Sequence, residues 1–174
     1  PHPTSPQGGG VLHAIDLGCG TGTNAIELCK RGIAVTACDI SPSAIDQAKA
    51  KAAAAGAGGI TFAVADILES LPVERASVDL AFDRGCLHSV DGPAREVFAG
   101  RVADALKQGG WWILLAGNKD DDPKYDQPGP PQMSAEQIVR ITEPLFEVHG
   151  LRRIRFTNDG AQTHLAWSAL LRRR

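Results

Sequence analysis

The sequence is short of several things, and each shortage excludes a class of protein. Its 174 residues include one tyrosine, one methionine, three tryptophans and five phenylalanines, so a core must come mainly from Ala, Val, Leu and Ile. Neither charge is in excess: 18 Lys and Arg stand against 20 Asp and Glu, a formal charge of −2. Phosphates would find no broad cationic surface, which argues against nucleic acid as a partner. The longest apolar runs, such as Trp111 to Gly117, fall far short of the roughly 20 residues that cross a bilayer as a helix, so no membrane partner is expected. Cys19, Cys29, Cys38 and Cys86 form no Cys-x-x-Cys pair and no zinc-finger spacing with histidine. Buried reduced thiols are expected, with no disulfide framework and no metal site. No secretory apolar segment precedes the first strand pattern, and a reducing cytoplasm is the expected compartment.

Glycine is plentiful, at 19 residues, and it punctuates an alternation of strand and helix patterns that begins at Val11. Such alternation is the signature of a parallel sheet with helices on both faces. The length suits one domain, over residues 11–174, behind a flexible amino-terminal segment of residues 1–10. Strands are expected over Val11–Leu17, Ala34–Asp39, Ile60–Ala65, Val78–Phe82 and Trp111–Ala116. Helices are expected from Asn24 to Arg31, from Pro42 behind the cap Ser41 to Ala55, and from Pro93 to Lys107. In that last helix Val97, Val102 and Leu106 are expected to face inward, with Gly109 and Gly110 closing it. Residues 117–133 carry four prolines and read as a long loop suited to a lid or binding segment. Ser134 should cap a short helix to about Thr142. Two long strands follow, Phe146–Phe156 and Thr163–Leu171, joined by the turn Asn158-Asp159-Gly160, and Arg172 to Arg174 read as a solvated tail.

In an open parallel sheet ligands sit at the carboxyl ends of the strands. Each of the first four strands carries an aspartate there: Asp16, Asp39, Asp66 and Asp83. Spacing narrows the ligand. The dinucleotide fingerprint is G-x-G-x-x-G, whereas Gly18-Cys-Gly-Thr-Gly22 is G-x-G-x-G behind Asp16. A carboxylate at that place repels a pyrophosphate and suits a ligand with an amino group and a sulfonium. Asp39, nineteen residues past Gly20, stands where a carboxylate can accept both hydroxyls of a ribose.

Residues 16–22, Asp-Leu-Gly-Cys-Gly-Thr-Gly, resemble the first motif of the class I S-adenosylmethionine-dependent methyltransferases, and the resemblance extends from Val11 to Leu171. It implies a Rossmann-like three-layer αβα sandwich whose seven-stranded, mostly parallel sheet has the order 3-2-1-4-5-7-6, with strand 7 antiparallel. It also implies S-adenosyl-L-methionine as cofactor and S-adenosyl-L-homocysteine as product. Gly18, Gly20 and Gly22 would admit the methionine and ribose moieties, with Cys19 and Asn24 beside them, while Asp16 orders the loop and favours the cofactor's positive charge. Asp39 would hold the ribose hydroxyls and Ile40 would pack on adenine. Asp66 would accept from the adenine amine, with the Ile67 N–H on the ring, and the backbone at Asp83 would bracket the methionine end.

For the acceptor, no Asn/Asp-Pro-Pro-Tyr/Phe motif follows the fourth strand, which argues against base methylation in nucleic acid. Asp83-Arg84-Gly85 instead resembles the small-molecule branch of thiopurine, thiol, halide and tellurite methyltransferases. That implies Arg84, Cys86 and His88 near a small-molecule acceptor, with Arg84 attracting an anionic nucleophile and His88 the one candidate catalytic base. A thiol or other soft acceptor is expected. Oxygen or nitrogen acceptors, a silent cofactor-binding module and a nicotinamide oxidoreductase stand as alternatives. Members of the family usually place helices before the first strand, and none precedes Val11; a lid is expected to be missing or supplied by a partner chain. The sequence sets no oligomeric state.

Overall fold

A computed structural model describes residues 10–121, 131–157 and 163–174. The chain runs β1 (His13–Leu17), α1 (Thr23–Lys30), β2 (Ala34–Asp39), α2 (Pro42–Ala54), β3 (Ile60–Val64) and β4 (Val78–Arg84). A single 3-10 turn (Leu87–Ser89) follows, then α3 (Ala94–Ala105), β5 (Leu106–Gly117), α4 (Ala135–Thr142), β6 (Phe146–Thr157) and β7 (Thr163–Arg173). The seven strands form one sheet in the order β3-β2-β1-β4-β5-β7-β6. Its first five members are parallel, and β7 is antiparallel to both β5 and β6. The strand order expected from the sequence is the one observed.

Two apolar layers hold the sheet. Ala25 of α1 and Ile45 of α2 pack with Val35 and Ala37 on one face. On the other, Phe98 and Val102 of α3 and Ile138 and Ile141 of α4 pack with Ile15, Leu17, Trp112 and Leu114. Trp112 lies stacked 6.1 Å from Phe98 and tilted 5.3 Å from Phe146, so one large aromatic makes good much of the scarcity of others. Ser41 caps α2 by accepting from the Ala44 N–H with Pro42 in the first helical position, and Ser134 and Gln137 form a reciprocal capping box on α4.

Several boundaries differ from expectation. Gly109 and Gly110 do not close α3; the chain enters β5 at Leu106, and both glycines lie within that strand. They permit the irregular pairing between Val78 and Leu80 of β4, Gly109 with φ +74°. Val97 is half exposed, and the buried stripe of α3 runs through Arg95, Phe98, Ala99 and Val102. Arg172 to Arg174 are not a solvated tail: the first two lie in β7, Arg172 stands over the Trp111 ring, and Arg174 pairs with Glu143 at 3.0 Å. The flexible segment expected over residues 1–10, most of the lid expected over 117–133 and the turn at 158–160 fall largely or wholly outside the described residues.

The sheet has two unlike edges. At one end β3 is five residues long, while at the other β6 is twelve and carries exposed Arg152, Arg153 and Arg155. Among the described residues no helix is long and apolar enough to cross a membrane.

Candidate functional site

The carboxyl ends of β1 to β4 meet at one cleft of about 540 Å³, within the range of small-molecule sites. One bank is Gly18, Asp39, Ile40, Asp66, Ile67 and Leu68; the other is Arg84, Gly85, Cys86, Ser89, Val90 and Asp91, with Ala94 and Phe98 of α3 behind them. Of the residues singled out by sequence, Gly18, Asp39, Ile40, Asp66, Ile67, Arg84 and Cys86 thus share the cleft wall. Asp16, Cys19, Gly20, Gly22, Asn24, Asp83 and His88 do not line it.

The three loop glycines serve different ends. All have left-handed φ angles of +52° to +79°, which only glycine adopts without strain. A Cβ on Gly18 would stand 2.7 Å from the Cys86 sulfur, and one on Gly22 would stand 2.9 Å from the Cβ of Ala48. Gly18 therefore lets the two banks close on one another, and Gly22 lets α2 pack. Only Gly20 faces open space, with nothing within 4 Å. Its N–H donates to Asp39 Oδ2 at 2.9 Å, and the Ser41 N–H donates to Oδ1 at the same distance. Asp39 thus ties the loop to β2 through one lone pair of each oxygen, and the other lone pairs remain for a diol. Asp66 accepts the Leu68 N–H at 2.8 Å in a tight turn that presents Ile67 and Leu68 to the cleft. Ile40 is exposed, at 68%, an apolar side chain on the cleft wall.

Beneath the loop lies Asp16, 1% exposed, whose Oδ2 has no hydrogen-bond partner. Burial pushes its carboxyl from 3.8 up to about 7, the Ala25 N–H at the start of α1 pulls it back, and the carboxylates of Asp83 and Asp39 add to the rise. Asp83 is fully buried and burial pushes it to about 7 as well, but its oxygens accept the N–H groups of Cys86 at 2.7 Å and Leu87 at 3.1 Å. Its side chain anchors the turn that follows β4.

Burial disfavours the thiolate at three of the cysteines. Burial pushes Cys19 and Cys38 up to about 12 and Cys86 further still, and all four cysteines are free. His88 Nδ1 accepts the Gly117 N–H at 2.5 Å, so the neutral ring carries its proton on Nε2. Burial, then the Arg95 charge, lowers its affinity for a second proton. In this arrangement the His88 ring, as acceptor, ties the turn after β4 to the end of β5.

Arg95 itself escaped the reading of the sequence, along with the cleft residues Leu68, Val90 and Phe98. A signal existed: Arg95 recurs with Phe98, Ala99 and Val102 at helical spacing, which puts it on the buried stripe.

A sheet ordered 3-2-1-4-5-7-6 with an antiparallel seventh strand, a left-handed glycine loop after β1 and an acid closing β2 defines the class I S-adenosylmethionine-dependent methyltransferase fold. The family model described as a methyltransferase domain matches residues 14–110, and the chain belongs to that family. The chain is 29% identical over 153 residues to a 2-heptyl-1-hydroxyquinolin-4(1H)-one methyltransferase of Mycobacteroides abscessus, a match covering 87% of this chain and 66% of that protein, just under two thirds. A solved structure concerned with conversion of a disulfide bond into a thioacetal group during echinomycin biosynthesis is 26% identical, with a TM-score of 0.81 over 93% of this chain and 76% of that one. A methyltransferase from Methanosarcina mazei shares the fold at 22% identity and a TM-score of 0.82, over 94% and 92% of the two chains.

S-adenosylmethionine is the cofactor of this class, and the site fits it on a structural observation: a buried, half-partnered carboxylate lies under the glycine loop, and the charges acting on it are other carboxylates. Such a group is completed by a cation.

Proposed function

We propose that the chain catalyses S-adenosylmethionine-dependent methylation of a small molecule, and that the acceptor is a thiol or other soft nucleophile. The observation that carries the first part is the partnerless Oδ2 of buried Asp16 beneath the glycine loop. When bound, the cofactor supplies a methyl group already activated on a sulfonium, and one displacement leaves S-adenosylhomocysteine. The chain's own task is to bind, align and exclude water, worth up to ~7–11 kcal/mol in well-oriented systems. In this reading Gly18 and Gly20 admit the ligand, Asp39 takes the ribose hydroxyls, Ile40 packs on the adenine, Asp66 takes its amine and the Ile67 N–H meets the ring. Asp16 balances the positive charge, and the backbone at Asp83 and Arg84 borders the reacting end. Exposed Arg84 on the cleft wall draws an anionic nucleophile inward.

The soft acceptor is supported by what surrounds His88. With Nδ1 committed to Gly117 and Nε2 protonated, the turn offers donors, and among the described residues no histidine lines the cleft. A thiol, with a pKa near 8.5, reaches the reactive anion without a base. The echinomycin relative's chemistry at sulfur is in keeping with this. A second reading, a hydroxyl acceptor on a heteroaromatic ring, is favoured by the named substrate of the Mycobacteroides relative.

Calorimetry with S-adenosylhomocysteine and with NAD tests the binding half; binding of NAD alone would sink the proposal. Labelled S-adenosylmethionine with thiols, iodide, chalcogen oxyanions, phenols and amines then identifies the acceptor element. Cofactor binding without turnover on any of them would mark a silent binding module.

A further inference from the structure

Arg95 stands in the first turn of α3, yet it is only 6% exposed. Its Nε donates to the Val90 carbonyl at 2.9 Å and its Nη2 to the His88 carbonyl at 3.0 Å. Taking a guanidinium out of water costs several kcal/mol unless good hydrogen bonds offset it. A methionine or leucine would fill this part of the core at less cost, so folding alone gives a poor account of the residue.

The two carbonyls belong to the turn that forms the second bank of the cleft. Asp83 grips the beginning of that turn through the Cys86 and Leu87 N–H groups, and Arg95 grips its end. The turn held in this way presents Cys86, Ser89 and Val90 to the cofactor bank across the cleft. We propose that Arg95 is a positioning residue: by holding the His88 and Val90 carbonyls it fixes the second bank at the spacing that the cofactor requires. This rests on the proposed cofactor reading for its ligand, not for its geometry.

The same guanidinium faces His88 from α3. Also described around that ring are the Gly117 N–H from β5, the side chain of Gln132 packed over Gly117, and Gly85 from the turn. Arg95 is the charged group among those described there, and its charge works with burial to keep His88 neutral. Loosening the grip therefore has a signature at His88 that a general loss of core packing lacks.

The test compares the wild-type chain with Arg95→Met and Arg95→Lys. S-adenosylhomocysteine affinity is measured by calorimetry well below the unfolding midpoint, and the His88 ring is titrated by NMR. Loss of hydrogen bonds from a buried charged donor predicts at least about tenfold weaker binding for Arg95→Met, together with an upward move of the His88 midpoint. Arg95→Lys, which keeps the charge and one carbonyl contact, should recover part of the affinity and hold the His88 midpoint near the wild-type value. Wild-type affinity and an unmoved His88 midpoint in Arg95→Met would overturn the proposal. Should that variant not fold, Arg95→Lys decides: severalfold weaker binding supports the grip and unchanged binding overturns it. If the wild-type chain itself binds no S-adenosylhomocysteine, the cofactor reading has failed, and the His88 titration judges the grip alone.

Discussion

Asp16 and Asp83 stand near the ends of neighbouring strands, β1 and β4, within one residue of each other in the pairing register. Both are buried and both are pushed up to about 7 by burial. Yet the turn side of the cleft gives Asp83 two short backbone donors, whereas the loop side leaves one oxygen of Asp16 with none. Burial and a raised pKa are therefore poor signs of function when taken alone. What separates the two is satisfaction: Asp83 is completed by its own chain and shapes the turn, whereas Asp16 keeps an open acceptor, which the proposed function gives to the cofactor.

The largest way to break this comparison is Asp83→Ala. Two buried N–H groups lose their acceptor at about 1–3 kcal/mol each, and the unfolding midpoint should drop by many degrees in a thermal scan. A midpoint within a degree or two of wild type would remove the structural role. Next comes Asp39→Ala, which unties the glycine loop and removes the ribose acceptor; cofactor affinity should fall more than tenfold by calorimetry, and an unchanged value refutes the assignment.

Asp16→Asn has the opposite sign in stability. The folded chain holds protons on Asp16 and Asp83 up to about pH 7, while the unfolded chain releases them near 3.8. Folding thus binds protons in that window, and stability falls as pH rises from about 4 to about 7, then levels off. Asp16→Asn should flatten that slope and raise the midpoint at pH 8 by a few degrees, while weakening S-adenosylmethionine more than S-adenosylhomocysteine, which lacks the sulfonium charge; loss of stability at pH 8 with intact binding would reverse the roles given to the two aspartates. The smallest expected effect is His88→Ala, which should cost a thiol acceptor less than about threefold in kcat/KM. A loss of orders of magnitude would instead point to an oxygen acceptor relying on that ring.

The loop half of the site was readable because its chemistry is local. Gly18-Cys-Gly-Thr-Gly22 behind Asp16, and Asp39 at the end of the next strand, are spacings along the chain, and parallel pairing then brings them together. The clean alternation of strand and helix patterns shows a parallel sheet with helices on both faces, while the order of its strands follows only from the family resemblance. The turn half depends on contacts between distant segments. Nothing local shows that His88 Nδ1 meets Gly117 twenty-nine residues away, or that Arg95 turns inward. The ends of α3 and β5 were misplaced because paired glycines after a helix look like a stop, and here they are a bend within a strand. Arg172 and Arg173 look like a tail until β7 gives them Trp111 and the Leu106 carbonyl as partners.

The unequal edges of the sheet bear on how the molecule behaves in company. A twelve-residue border strand with unpaired backbone groups is a template on which a second copy could add itself. Two such borders meeting would set the guanidinium groups of Arg152, Arg153 and Arg155 against their own counterparts, a repulsion that reaches about 10 Å at 0.1 M ionic strength and about 3 Å at 1 M. Like charge thus opposes that pairing, and any tendency of the borders to meet should grow as salt is added.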